Sequence, residues 1–189
     1  MTSCASAPGE PTVFSVLRRR GAQRRLLTLA LGMWLAADAA LAAPVARPAD
    51  PFLAQLAGRW DMIGAVRGKA VHHRGEGRWV LKGAWLCLSI VDAASPPAYT
   101  ASVYLGFDRR QRDYIAHWLD QFGAAGARVV ATGKREGQTL VLLFPYAEGA
   151  FRDTLSLAPD GASGTLLLES QAKDGGWSTF ASYRLTRAR

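Results

Sequence analysis

Cysteines, histidines and long apolar runs are scarce in this chain of 189 residues, and each scarcity closes off a class of function. Of the two cysteines, Cys4 precedes an apolar segment with the features of a cleavable leader. Cys87 would then stand alone in the exported chain, which rules out an internal disulfide even in an oxidising compartment. A lone thiol inside a strand is expected to pack as a small buried apolar group. Three histidines without H-x-x-x-H or C-x-x-C spacing supply no pattern for a zinc or haem site. His72 and His73 are adjacent, and adjacent strand residues point to opposite faces, so a regular strand cannot offer both to one ion. No G-x-S-x-G, H-E-x-x-H or G-x-x-x-x-G-K-[ST] occurs, so hydrolase and nucleotide readings lack a motif and no cofactor is expected. The most apolar stretch, residues 26–37, is shorter than the roughly 20 residues that a spanning helix needs. No transmembrane span is expected in the exported chain.

The N-terminal region has the layout of a signal peptide. Arg18, Arg19, Arg20, Arg24 and Arg25 form a basic segment, residues 26–37 an apolar core, and Ala40-Leu41-Ala42 a small-x-small site that places cleavage before Ala43. The expected division is a signal peptide over 1–42, an extended lead-in and short helical turn over 43–57, and one β-barrel domain over 58–189. Export is therefore expected to the periplasm or beyond it, by a route that the arginines do not specify. Without the leader, 18 basic residues face 13 acidic ones. That surplus is scattered through strands and turns rather than gathered on one element, which argues against nucleic acid as a partner. The remaining 147 residues are enough for one domain with a real core.

From Gly58 onward the hydrophobic period is two. Strands are expected near 59–66, 72–81, 85–91, 99–107, 113–121, 128–133, 139–146, 150–158, 165–171 and 177–186. Turn-forming clusters separate them, among them Gly68-Lys69, Ser95-Pro96-Pro97, Asp108-Arg109-Arg110, Glu136-Gly137, Pro159-Asp160-Gly161 and Asp174-Gly175-Gly176. About ten short strands joined by tight turns, with no long helical pattern between them, predict an all-β, up-and-down antiparallel meander closed into a barrel. Closure removes the exposed edges that so many strands would otherwise leave. An outer-membrane barrel fits poorly, because charges such as Arg59, Asp61 and Arg152 fall on both faces and the chain ends Arg187-Ala188-Arg189.

Leu56, Gly58 and Trp60 form an L-x-G-x-W opening that resembles the calycin group of lipocalins and fatty-acid-binding proteins. The sequence further resembles a bacterial family of uncharacterised secreted proteins with a lipocalin-like barrel. That likeness rests on Leu81-Lys82-Gly83-Ala84-Trp85-Leu86, Leu105-Gly106-Phe107-Asp108 and Trp118-Leu119-Asp120. The resemblance implies a barrel whose tryptophan closes one end, and it implies no activity.

Tyr114, Trp118 and Asp120 share parity, so they lie on one face of one strand. If that face is interior, they form an aromatic wall with a polar anchor, the usual make-up of a small-ligand pocket. The alternative is that Tyr114 and Trp118 are packing residues and Asp120 sits at the rim. Tyr104 and Phe144, with Tyr114, Trp118 and Asp120, complete the candidate ligand-binding set, while Leu56, Gly58 and Trp60 are expected to be structural. Two functions follow: an exported protein that binds an apolar or amphipathic small molecule inside the barrel, or a side-chain-filled structural or protein-interaction module of the cell envelope. Enzymatic activity has no supporting motif. His117 and Asp120 are the nearest to acid-base candidates, and three residues apart they face opposite ways. The oligomeric state is left open.

Overall fold

The computed structural model describes residues 50–188. The signal peptide expected over 1–42, and residues 43–49 of the segment expected as lead-in and helical turn, lie outside the described residues. A short helix α1 (Pro51–Ala54) precedes strands β1 (Gly58–Val66), β2 (Lys69–Val80), β3 (Trp85–Asp92), β4 (Thr100–Asp108) and β5 (Asp113–Asp120). Strands β6 (Val130–Glu136), β7 (Thr139–Phe144), β8 (Phe151–Leu157), β9 (Ser163–Gln171) and β10 (Trp177–Arg187) follow. Each pairs antiparallel with its chain neighbours, and β1 pairs with both β2 and β10, which closes a ten-stranded barrel. The all-β, closed up-and-down meander expected from the alternating pattern is therefore the observed fold.

Strand alternation builds the core. On β3, Leu86, Leu88 and Ile90 point inward; on β4, Ala101, Val103 and Leu105; on β8, Asp153, Leu155 and Leu157. Cys87 lies between inward Leu86 and Leu88 and is half-exposed on the outer face, so the buried thiol expected above is corrected. The first hairpin turns on Arg67-Gly68 rather than Gly68-Lys69, because both residues carry positive φ (47° and 76°) and Val66 pairs with Lys69. This two-residue geometry matches the twist of the flanking strands. Strand β6 starts two residues later than expected, after a single 3-10 turn at Gly126–Arg128. The Ala127 carbonyl lies 2.7 Å from His117 Nε2, holding that turn against the outside of β5. The β5–β6 ladder consequently runs only from Tyr114–Gly133 to His117–Val130, leaving the end of β5 at Trp118 and Asp120 free of β6.

One end of the barrel is plugged. Asp50 caps α1 by accepting from the Phe52 and Leu53 amides, Pro51 occupies the first turn, and Phe52, Leu53 and Leu56 are buried. They meet Trp60, Met62, Leu86 and Leu185 among the most deeply buried side chains. Two arginines fix this plug to the barrel. Arg187 donates to the carbonyls of Gln55, Ala57 and Gly161 and lies over the Trp60 ring, 4.1 Å from its centroid. Gly58, at φ 101°, admits that contact, since a Cβ there would fall 2.8 Å from an Arg187 nitrogen. Arg135 lies over Phe52 and donates to the Tyr114 hydroxyl, which donates in turn to the Asp50 carboxylate at 3.2 Å.

Tyr114 thus ties β5 to the helix cap. Tyr114→Phe is expected to cost about 1 to 2 kcal/mol, because it removes two charge-assisted hydrogen bonds while keeping the ring. Urea denaturation measures this directly, and an unchanged midpoint would mean that the hydroxyl does not hold the plug.

Candidate functional site

The opposite end of the barrel is open and hollow. A cavity of about 1160 Å³ descends from the rim between β1, β2, β3, β5, β7, β8, β9 and β10. Two aromatic series form its walls. On one side Trp118 donates to the Tyr99 hydroxyl at 3.2 Å, and His73 lies between Tyr99 and Tyr183 with both ring centroids 5.5 Å away. On the other side Phe144, Tyr146, Phe151 and Phe180 follow one another at centroid distances of 6.0, 5.9 and 5.3 Å. Phe180 joins this wall out of phase with Ala181, Tyr183 and Leu185, because the β10 register shifts between Thr179 and Ala181. A bulge re-aims one side chain in this way. Arg67 caps the Phe180 ring at 5.0 Å, and exposed Phe122 and Glu148 stand at the rim.

Two polar side chains occupy the depth of this aromatic cup. Asp153 on β8 is 5% exposed, faces the cavity and makes no hydrogen bond among the described residues. Burial raises its carboxyl from the ordinary 3.8 to about 7. His73 is 3% exposed, its Nδ1 has no partner among the described residues, and burial lowers its pKa against a smaller opposing pull from Asp92. The neutral imidazole is thereby favoured. Burial also pushes the phenols of Tyr99 and Tyr183 up to about 12, so both remain hydrogen-bonding hydroxyls.

The sequence-predicted residues divide between the two ends. Trp118, Asp120 and Phe144 line the cavity. Asp120 sits at its rim, where Oδ1 accepts from the Phe122 amide at 3.0 Å. Tyr114 does not reach the cavity; it is buried in the plug, four residues along β5 from Trp118 and some 13 Å away at strand rise. Tyr104 is corrected more fully. It lies between inward Val103 and Leu105 and pairs with Cys87 and His117 on the outer face. Leu56 and Trp60 are buried in the plug, joined by the Trp60 Nε1 donation to the Leu56 carbonyl, and Gly58 lies between them in the chain. His117 and Asp120 lie on opposite faces, so they do not act on one substrate atom. His72 is exposed, 3.3 Å from Asp61, while His73 points inward. Asp108 caps its own hairpin tip by accepting from the Arg110 and Gln111 amides.

Sequence reasoning missed Asp153, His73, Tyr99 and Phe180. For Asp153 a signal existed: it shares parity with Leu155 and Leu157, so an acid stands at an inward position of an otherwise apolar strand face. Phe180 carried no such signal, since only the bulge turns it in.

No family model and no curated protein matches the chain. Among solved structures, the barrel is similar to the crystal structure of Rv2717c from M. tuberculosis, with a TM-score of 0.52 at 16% identity. The match covers 75% of this chain and 99% of that one. At that identity the likeness is one of fold.

Proposed function

We propose that the chain is an exported, lipocalin-like barrel protein that binds an apolar or amphipathic small molecule in the barrel interior. The carrying observation is the cavity itself. Its volume of about 1160 Å³, its aromatic walls and its two deep polar side chains have the make-up of a small-molecule site. A barrel filled from end to end, the envelope-module alternative, would have inward side chains meeting across the axis at both ends. Here they meet at the plugged end, while the other is lined by rings standing around a space. The lipocalin-like assignment draws support from Leu56, Gly58 and Trp60, which sit together at the closed end. Export draws its support from the basic, apolar and small-residue succession over 18–42.

One preparation tests both parts. The native protein is recovered from the periplasmic or secreted fraction, its N-terminus is read, and solvent extracts are analysed by mass spectrometry. An N-terminus at Ala43 and a reproducible extracted compound are expected. A protein confined to the cytoplasm with its leader intact would overturn export, and a reproducibly empty barrel would overturn binding. Trp118→Ala removes a half-buried indole from the cavity wall and should lower the yield of that compound at least severalfold. Its cost in stability should stay below that of truncating a fully buried aromatic.

A further inference from the structure

An unpaired carboxylate at the bottom of an aromatic cup restricts what the cup can hold. Asp153 lies one inward step below Phe151 on β8, beside Leu142 of β7 and Leu168 of β9, which offer it no polar atom. A buried carboxylate without a partner is costly, and a ligand that brings a positive charge removes that cost. Around it stand aromatic faces, which attract cations through their quadrupoles. The charged residues of the cavity point the same way. Asp92, Asp120, Glu148 and Asp153 contribute carboxylates against the single guanidinium of Arg67, which is engaged with Phe180. This local acidic surplus sits in a chain whose net charge is +8.

We propose that the occupant is an amphipathic organic cation, an amine with an apolar body, whose ammonium group seats against Asp153 between the two aromatic walls. The inference rests on the reading that the cavity holds a small molecule, and it names the charge that molecule carries. An anion would descend past Asp92, Asp120 and Glu148 to meet a fourth carboxylate. A hard metal ion fits poorly as well, since such ions take six or more oxygen ligands, and no group of three His, Cys, Asp or Glu side chains with metal-holding geometry occurs among the described residues. An ammonium needs one carboxylate and aromatic faces, and this cavity supplies both.

The groups facing Asp153 leave its titration interpretable. Strands β7 and β9 present no titratable side chain to it, since Glu169 points outward to Arg152 at 2.8 Å. Tyr146 and Glu148 stand above it in the β7–β8 connection, with Tyr183 on β10 and Tyr99, Asp120 and His73 across the cavity. Asp153 and Asp120 both add to the upward push on the Tyr99 and Tyr146 phenols. Near neutral pH, proton uptake by Asp153 therefore competes with the ammonium.

The test is calorimetric titration of the full chain with three probes of one chain length: decylammonium, decanol and decanoate. Near pH 8, decylammonium should bind at least about tenfold tighter than the other two, and Asp153→Asn should reduce it to the level of decanol. Near pH 6 its affinity should be about tenfold lower, because the carboxyl must release a proton before pairing. Equal affinity for all three probes, tighter binding of decanoate, or a preference that survives Asp153→Asn overturns the cationic ligand while leaving a binding cavity in place. Binding by none of the three overturns both readings.

Discussion

Replacing Trp60 by alanine is expected to cost about 3 to 5 kcal/mol of unfolding free energy, a large part of what holds a domain of this size together. The indole is 1% exposed and donates through Nε1 to the Leu56 carbonyl at 3.0 Å. Its ring is also the platform for Arg187, whose guanidinium fixes the carbonyls that follow α1 and the carbonyl of Gly161. Truncation therefore leaves a cavity and loosens the clamp that holds helix, first strand and last strand together. Because Trp60 pairs with Arg187 across the β1–β10 seam, the damage falls where the barrel closes. Chemical denaturation would read it as a sharply lower midpoint, with Trp60→Phe intermediate since the phenyl retains most of the burial. A midpoint equal to that of wild type would show that the indole is not the end plug.

Stability should also depend on pH through Asp153, with a sign opposite to that of an ordinary paired carboxylate. Its folded pKa of about 7 lies above the ordinary 3.8, so between those values the folded chain holds a proton that the unfolded chain has released. The stabilisation is complete below the lower value and is lost as pH rises through the higher one. A shift of about three pKa units corresponds to about 4 kcal/mol, which sets the scale of the effect. His73 works in the other direction. Its lowered pKa means that the unfolded chain gains protons first as pH falls through the ordinary imidazole value of 6.5, so its contribution is lost on the acid side. Comparing Asp153→Asn with wild type separates the two, because His73 is common to both. The variant should be the more stable protein above neutral pH, and its advantage should shrink as pH falls toward 4. A difference that is flat from about pH 5 to 8 would mean that Asp153 carries no proton in the folded chain near neutrality.

Both predictions concern residues of inward parity, yet the role of only one could be read from its neighbours in sequence. Trp60 stands in a spaced motif at the first strand, so its structural role could be read from its neighbours. Asp153 stands in a run that a periodicity argument treats as apolar with one exception, and whether such an exception meets a partner is decided by other strands. Tyr104 shows the complementary failure. Alternation on β4 establishes that Tyr104 and Val103 face opposite ways, but the side that meets the core follows from the adjoining strands, where Val103 pairs with Leu88 and Trp118 and Tyr104 with Cys87 and His117.

The linear order of residues determined the barrel: ten runs of period two, short turns and no helical pattern leave few arrangements other than a closed antiparallel meander. It also determined relative orientation within each strand, placing Tyr114, Trp118 and Asp120 together and setting His72 against His73. Position along the barrel axis was decided by tertiary structure alone. Tyr114 and Trp118 share a face, but α1 folds back over one end, so the first is sealed into the plug and the second borders the cavity. The bulge that turns Phe180 inward and the early end of the β5–β6 ladder are likewise properties of strand pairing. The physical reason is the range of the interactions. Alternation is a local consequence of backbone geometry, whereas a cavity and its charge depend on side chains that come from eight strands and meet only when the barrel closes.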